Sequence, residues 1–320
     1  MRFGGFTGTP DQMPQYCVHG LLLKSGFDIP ELPARQAQQV LDETPVEMVM
    51  SELPSSIDHH AVTKDGYLLG DNKIMIALEN GIRCLIEAGN RVTIDPGGKH
   101  NEPAARLFAL SAGLGCLLHQ RNYLPLHCAA VETAKGCVAF CGNAGDGKST
   151  LAASFQMAGF NLFSDDRLTI HATAEHPYLA APSIPALHLY EQSGALAGLG
   201  DDHLAVDSYR FGKHIHLVPE AYSQHPSPMA GLYFTDWHED ETAEPVIAPM
   251  GQLNAMMRLR RDVSLTHLIE PLGREQHFMT WAARLCGSVP AFHLVRPRNK
   301  DRHEHCMSLI ISHDRDTYGT

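Results

Sequence analysis

The sequence predicts an α/β fold that carries a smaller β-rich unit at its amino terminus. Residues 138–155, VAFCGNAGDGKSTLAASF, read as an apolar strand, a glycine-rich loop and a helix. Residues 162–166, LFSDD, read as another short strand that ends in two carboxylates. Residues 1–100 instead contain short strand-like runs separated by turn residues. The order strand, loop, helix, strand is typical of α/β folds, which bind ligands at the carboxyl ends of their strands.

The β-rich amino-terminal unit is predicted to span residues 1–100. Residues 16–25, YCVHGLLLKS, read as a strand. Residues 73–98 read as a meander, in which ENG and EAGN serve as turns. Apolar and other side chains alternate between residues 82 and 87, as expected for a strand with one buried face.

The second unit is predicted to span residues 101–320. It begins with a helix over residues 103–121, in which Pro103 suits the first turn and leucines form one apolar stripe. Residues 124–132 and 136–142 then read as a hairpin that leads into the glycine-rich loop. Further strands are predicted at KHIHLVP (213–219), MAGLYFTD (229–236) and AFHLVRP (291–297), and a further helix at REQHFMTWAARLCGS (274–288).

Composition excludes several classes of protein. The 25 basic and 36 acidic residues give a net charge of −11, and an acidic chain is a poor non-specific binder of nucleic acid or anionic membrane. The longest apolar stretch, residues 107–118, is too short to span a bilayer, and no secretory signal is recognisable. Eight cysteines without a CxxC pair predict free thiols in a reducing cytoplasm and give no spacing that suggests zinc. A cytoplasmic protein without nucleic-acid or membrane partners is expected.

The glycine-rich loop fits the phosphate-binding pattern G-x-x-x-x-G-K-[ST] over residues 142–149. Backbone N–H groups of such a loop and of the following helix point at phosphate oxygens, and its glycines permit the positive φ angles that this requires. Lys148 is expected to reach the β- and γ-phosphates, and the Ser149 hydroxyl to bind Mg²⁺. The residues assigned to nucleotide binding are Gly142, Asn143, Ala144, Gly145, Asp146, Gly147, Lys148, Ser149 and Thr150.

Other motifs restrict the kind of nucleotide-binding protein. The guanine-reading pattern N-K-x-D is only half matched by RNKDR at residues 298–302, so ATP is expected to be preferred over GTP. No LSGGQ-like signature of a transporter ATPase is present. The remaining classes are a kinase and a nucleotide-binding protein with little turnover.

Two adjacent carboxylates, Asp165 and Asp166, are expected to face the phosphates from the end of the next strand. One of them can hold the metal and the other can accept a proton from an attacking hydroxyl. The alternative is a solvated turn in which Asp166 pairs with Arg167. His127, on the strand before the loop, is expected either to contact the phosphates or the catalytic carboxylate, or to be an ordinary core histidine.

Together, His127, GNAGDGKS (142–149) and LFSDD (162–166) resemble the catalytic domain of the HPr kinase/phosphorylase family. The resemblance implies a P-loop α/β fold like that of phosphoenolpyruvate carboxykinase. It also implies ATP and Mg²⁺ as cofactors and transfer of the γ-phosphate to a seryl hydroxyl. The catalytic residues carried over are His127, Lys148, Asp165 and Asp166, with Ser149 and Asp166 as metal ligands.

The chain departs from that family in Thr150, where the family has Glu directly after the loop serine, and in its first 100 residues. It is more similar to divergent HPr-kinase-like proteins of lasso peptide and related biosynthetic clusters, which phosphorylate a serine of a precursor peptide. This resemblance implies a peptide or protein serine as acceptor. Lys213, Arg296 and Arg298 are candidate cations for the transferred phosphoryl group or a peptide carboxylate, with plain surface charge as the alternative.

Three functions remain open from the sequence: a peptide or protein serine kinase, a small-molecule hydroxyl kinase, and a nucleotide-binding regulatory protein with little turnover. The carboxylate pair beside the loop favours the two kinases. Residues 1–100 are expected to align an extended peptide substrate, or else to complete the core or make a homo-oligomer contact.

Overall fold

Three β-sheets organise the chain in the computed structural model, which describes residues 13–33, 40–172, 178–196, 205–206, 212–299 and 303–317. Two sheets have eight strands each, and the third has three. Helices pack on these sheets, so the predicted mixed α/β architecture is confirmed. No helix in these ranges is long and apolar enough to cross a membrane.

The first sheet contains the strands of the amino-terminal unit. Its strands are β1 (Gln15–Val18), β2 (Leu21–Ser25), β3 (Asp42–Met50), β4 (Ala61–Val62), β5 (Leu68–Gly70), β6 (Lys73–Ala77), β7 (Arg83–Glu87) and β8 (Arg91–Asp95). They lie in the order β1-β2-β3-β8-β7-β6-β5-β4. Strands β6, β7 and β8 pair antiparallel as the predicted meander.

The prediction of a single strand over residues 16–25 was wrong, because this segment is the hairpin β1–β2. His19 and Gly20 at its turn have φ angles of 56° and 72°. Two successive residues with positive φ make a two-residue turn whose twist matches the flanking strands. Glycine is the default residue for such a turn, but a histidine stands in the first position, so the pattern was not recognised.

A long helical segment packs on this first sheet. It consists of α1 (Glu102–Phe108), one π-helical turn (Ala109–Gly113) and α2 (Leu114–Gln120). The predicted helix with Pro103 in its first turn is therefore confirmed, apart from the π turn. Gly113 sits so close to the sheet that a Cβ atom there would lie 3.1 Å from the Cys84 sulfur. The leucine stripe of the helix belongs to the same buried cluster as the sheet. The unit boundary near residue 100 stays a prediction, although this packing favours a boundary after the helix.

The second sheet forms the centre of the remaining chain. Its strands are β9 (Cys128–Thr133), β10 (Gly136–Cys141), β11 (Leu162–Asp165), β12 (Thr169–His171), β13 (Leu179–Ala181), β17 (Ser227–His238), β18 (Val246–Pro249) and β19 (Ala291–Pro297). The three-stranded sheet consists of β14 (Ala186–Tyr190), β15 (Ala205–Val206) and β16 (Lys213–Leu217). The helices are α3 (Lys148–Met157), α4 (Glu191–Leu196), α5 (Gln252–Asp262), α6 (Glu275–Ser288) and α7 (His303–Thr317).

Strand direction in the second sheet decides where the candidate site lies. Strands β10, β17 and β19 run parallel, and β11 runs in the same direction because both it and β10 are antiparallel to β9. The carboxyl ends of four strands and the amino end of β9 therefore meet at one edge. Helices α5 and α6 cover one face of the sheet, and α3 and α7 cover the other.

Several local predictions are confirmed in this half of the chain. Gly159 ends the helix after the loop with a φ of 91°, and its N–H bonds to the Gln156 carbonyl. The late strand over 291–297 and the helix over 274–288 are β19 and α6. All eight cysteines are free thiols, as expected.

Buried neutral histidines predict a loss of stability in acid. His119 is completely buried and its Nε2–H donates to the Ser264 carbonyl at 2.7 Å. Burial lowers the pKa of His119 to about 4 and that of His19 to about 3. In the unfolded chain these histidines take up protons as the pH falls below about 6.5, whereas in the folded chain they stay neutral until the pH approaches 4. The free energy of unfolding is therefore unaffected by them above pH 6.5 and decreases as the pH falls from 6.5 toward 4. At pH 5 each histidine is expected to cost about 2 kcal/mol of unfolding free energy.

Thermal unfolding of the wild type and of His119→Gln at pH 7 and pH 5 checks this expectation. Glutamine can donate to the Ser264 carbonyl without titrating, so the variant is expected to lose less stability between the two pH values. Equal losses in both proteins would contradict the role of His119.

Candidate functional site

A cavity of about 760 Å³ opens at the sheet edge where the carboxyl ends of the four strands meet. Most of the residues assigned to the site from the sequence line it: His127, Ala144, Gly145, Gly147, Lys148, Ser149, Thr150, Asp165, Asp166, Lys213, Arg296 and Arg298. Gly142, Asn143 and Asp146 belong to the same loop but do not line the cavity. The structure thus brings the predicted residues together, and their individual roles stay predictions.

The loop has the conformation that a phosphate cradle needs. Gly142, Gly145 and Gly147 have φ angles of 154°, 89° and 69°. A Cβ atom at Gly142 would lie 2.6 Å from the Thr235 hydroxyl, and one at Gly147 would lie 2.6 Å from the Arg296 guanidinium. Gly142 and Gly147 therefore need to be glycine both because of their φ angles and because a side chain would not fit. Because α3 begins immediately after the loop, its unpaired first-turn N–H groups lie beside the cavity.

Lys148 is buried beneath the loop, with 6% of its surface exposed. Its ammonium group donates to the carbonyl oxygens of Gly142 at 2.8 Å and Asn143 at 2.9 Å. Burial lowers the pKa of Lys148, while Asp262 and Asp165 act in the opposite direction. The ammonium group therefore lies against the loop, where the oxygens of a bound phosphate can replace the two carbonyls as its hydrogen-bond partners.

Asp165 lies at the end of β11, in a setting that keeps its carboxylate charged. One of its oxygens accepts the backbone N–H of His188 at 2.7 Å, and the His188 Nδ1 atom lies 3.6 Å away. Burial alone would raise the pKa of Asp165, but His188 and Lys213 more than offset it, so the pKa lies below its ordinary value. A carboxylate with a low pKa is suited to facing a cation rather than to taking a proton.

Asp166 is paired with His127. The Asp166 Oδ1 atom lies 3.0 Å from His127 Nδ1, and its Oδ2 atom lies 3.6 Å from Arg167 Nη2. The φ angle of Asp166 is 91°, a strained conformation of the kind that collects at functional sites. The alternative of a solvated turn is wrong about solvent, because Asp165 and Asp166 are only 6% and 8% exposed, but the pairing of Asp166 with Arg167 that it predicted is present.

Arg167 connects this carboxylate pair to the π-helical turn that packs on the first sheet. Its Nη1 group donates to the Ser111 carbonyl at 2.5 Å, and its Nε group donates to the Ser264 hydroxyl at 2.8 Å. Gly115 makes room for it, because a Cβ atom there would lie 3.1 Å from the guanidinium carbon. The guanidinium is thus held between Asp166 and the π-helical turn.

The three candidate cations differ in their surroundings. Arg296 is 4% exposed, lies 4.2 Å from the centre of the Trp237 ring and donates to the Asp146 carbonyl at 2.5 Å. Its Nε atom is buried and has no hydrogen-bond partner among the residues that the structure describes. Arg298 is exposed, at 5.2 Å from the same ring, and Lys213 lies 5.4 Å from the Tyr190 ring. The alternative that Arg296 is an ordinary surface charge is therefore wrong, because its side chain is buried.

Sequence reasoning missed three residues that shape the site: Trp237, His188 and Asp262. Trp237 donates to the Gly145 carbonyl at 3.1 Å from the end of β17, one residue beyond the strand that the sequence predicted. His188 lies on β14, which was not predicted. Asp262 lies at the end of α5, and tertiary packing brings its charge close enough to act against the lowering of the Lys148 pKa. Its backbone carbonyl accepts the His127 N–H at 2.6 Å. Burial raises the pKa of Asp262 to about 6.

The oxygen groups around the cavity suit Mg²⁺ and not a soft metal. Among the described residues, no group of three or more His, Cys, Asp or Glu side chains could hold a metal by itself. Mg²⁺ does not need such a cage, since it is usually bound by one or two carboxylates together with phosphate oxygens and waters. The Ser149 hydroxyl and the two buried carboxylates line the same cavity and fit this requirement.

Comparison with known proteins gives a likeness to solved structures only. No protein-family model matches the sequence, and no curated protein matches it significantly. Among solved structures, the Hpr(Ser) kinase/phosphatase from Coxiella burnetii is similar, with a TM-score of 0.33 and 12% sequence identity. The likeness covers 61% of this chain and 99% of that protein. At this level of similarity nothing about the activity of this chain follows from it.

Proposed function

We propose that the chain is a Mg²⁺-dependent kinase that transfers the γ-phosphate of ATP to an alcohol, with a seryl hydroxyl of a peptide or protein as the acceptor. One observation carries the proposal. A glycine loop with a buried lysine faces two buried carboxylates across one cavity, and one of these carboxylates is paired with a histidine. A loop of this kind binds phosphates, and a buried carboxylate paired with a half-exposed imidazole beside it provides a base.

In this proposal the phosphates lie along the loop N–H groups and the start of α3, with Lys148 and Arg296 as neutralising cations. Bound Mg²⁺ supplies further charge neutralisation on the phosphate oxygens, with Ser149 and Asp165 as the protein oxygens offered to it. The alcohol proton passes to Asp166 while the alcohol oxygen forms a bond to the γ-phosphorus. The bond from phosphorus to the ADP oxygen breaks at the same time, and ADP leaves.

The assignment of the base to Asp166 follows from the contacts of the two carboxylates. Asp165 is held in the charged form by His188 and Lys213 and has a lowered pKa. Asp166 instead lies 3.0 Å from the His127 imidazole, which can orient the carboxylate and share its proton. The sequence alone assigned Asp166 to the metal and left the base open between the two, and this arrangement supports the opposite division of roles.

The acceptor class rests on less direct observations. A protein with little turnover has no need of two buried carboxylates beside its loop, so a kinase is favoured over a regulatory nucleotide-binding protein. A ribosomal precursor peptide, implied by the resemblance to lasso-peptide cluster proteins, is one acceptor of the proposed class. The small-molecule kinase is the other kinase that the same cavity accommodates.

The proposed function predicts Mg²⁺-dependent ATP turnover. ATP hydrolysis by the full chain is expected to require a divalent cation, to stop in excess chelator, and to be faster than GTP hydrolysis. Labelling of seryl peptides and of free serine with γ-labelled ATP then separates the acceptor classes. Full turnover in excess chelator would contradict the mechanism, and rapid labelling of free serine without any labelled peptide would favour the small-molecule kinase.

A further inference from the structure

A second cavity, of about 190 Å³, lies on the other side of the carboxylate pair. Asp165, Asp166 and His188 line both this cavity and the one that contains the loop. We propose that the second cavity is the acceptor site, and that it takes a seryl hydroxyl flanked by apolar side chains. This inference rests on the proposed kinase function and goes beyond it by naming the acceptor's chemistry.

The position of the carboxylates supports the assignment. In phosphoryl transfer the attacking and leaving oxygens lie roughly in line on opposite sides of the phosphorus atom. The loop and Lys148 hold the leaving side in the larger cavity. A base that separates two cavities can take a proton from an alcohol that approaches from the smaller one. Asp166 occupies this position, and its strained backbone holds it there.

The walls of the second cavity determine which acceptors fit. Leu107 and Phe108 of α1 line this cavity, together with Ile184, Ile215 and Leu217 from other elements. These side chains favour apolar neighbours of the hydroxyl. An acidic neighbour would meet the two carboxylates at the base of the cavity, where Arg167 offsets only one of the two negative charges and like charges repel.

The depth and the volume of the second cavity suit a single side chain that belongs to a longer peptide. His100 and Pro103 are exposed at the mouth of the cavity, whereas Asp165, Asp166 and Arg167 are buried at its base. The volume is below the range of about 300–1,000 Å³ that holds a whole drug-sized ligand. A peptide can place one or two side chains in such a space while the rest of it stays outside.

The helical segment that packs on the first sheet completes this site. Helix α1 supplies one wall, and the same helical segment binds Arg167 through the Ser111 carbonyl. Deleting the first 95 residues would expose the apolar face that this helix packs on the first sheet, so truncation is not a clean test of acceptor binding. Single substitutions of residues that line the cavity test acceptor binding more directly.

The experiment compares two acetylated tripeptide amides, Leu-Ser-Leu and Asp-Ser-Asp, as acceptors for the full chain. Transfer and ATP hydrolysis are measured together, and their ratio is reported. The wild type is expected to phosphorylate the leucine-flanked peptide roughly ten-fold or more faster than the aspartate-flanked peptide. Leu107→Trp fills the cavity from α1 and Ile184→Trp fills it from another segment. Each is expected to lower the ratio of transfer to hydrolysis roughly ten-fold.

Leu253→Trp is the matched control, because Leu253 is 69% exposed on α5 and lines neither cavity. It is expected to keep the wild-type ratio. A wild-type ratio in both cavity variants, or a preference for the aspartate-flanked peptide, would overturn the inference. Hydrolysis of ATP without labelling of the leucine-flanked peptide would also overturn it and leave the phosphate loop's role intact. Absence of any Mg²⁺-dependent hydrolysis in the wild type would instead refute the proposed function itself.

Discussion

Lys148→Met is expected to reduce ATP turnover at least about a hundred-fold, because it removes the buried ammonium group that neutralises the transferred phosphate. The sequence predicts that this lysine contacts the β- and γ-phosphates of the ligand. The structure shows that it also donates to two loop carbonyls, so methionine, which keeps the length of the stem, is preferred over alanine. Steady-state ATP hydrolysis and thermal unfolding measured on the same preparation check the expectation.

Lys73→Met is a suitable control for this variant. Lys73 is exposed on β6 and pairs with Glu87 at 3.2 Å, and a surface ion pair of this kind contributes little to stability. Its variant is expected to keep both turnover and unfolding temperature. Wild-type turnover in Lys148→Met would refute the assignment of the loop to phosphate binding.

Asp166→Asn is expected to reduce phosphoryl transfer by about 10²–10⁴-fold, the usual contribution of a general base. Asparagine tolerates the positive φ of this position, so the variant tests the proton acceptor rather than the backbone. The affinity for ATP and the Mg²⁺ concentration for half-maximal activity are expected to stay close to those of the wild type.

Asp165→Asn separates the two carboxylates. Its half-saturating Mg²⁺ concentration is expected to rise, because Asp165 is the charged oxygen group offered to the metal. Mg²⁺ titrations of ATP hydrolysis in both variants give the comparison. An unchanged Mg²⁺ requirement in Asp165→Asn, together with a raised one in Asp166→Asn, would reverse the roles proposed for the pair.

The parts of the site that lie close together along the chain could be predicted from the sequence. Residues 142–149 and 162–166 belong to one strand–loop–helix–strand unit, so chain geometry alone brings them to the same edge. Lys213 and Arg296 could be suspected but not placed, because they come from distant strands. Whether Arg296 is buried depends on Trp237 beside it, and no local pattern reports that contact.

Other features of the structure could not be predicted because no sequence pattern indicates them. The β1–β2 turn depends on a histidine with positive φ, which the usual turn residues do not predict. The contacts of Asp262 and His188 arise from packing between elements distant in sequence. The helix after residue 100 has an apolar stripe that fits either unit, and only the structure shows that it packs on the first sheet.

The guanidinium of Arg167 also restricts how such a chain can evolve. Its hydrogen-bond acceptor Ser111 lies on the π-helical turn, which packs on the first sheet, and its ionic neighbour is Asp166. A recombination event that exchanged the first 120 residues for an unrelated domain would leave a buried positive charge with one acceptor fewer, at a cost of about 1–3 kcal/mol. The two halves of this protein are therefore expected to be inherited together. Chimeras that graft this amino-terminal unit onto another catalytic domain will need a matching arginine.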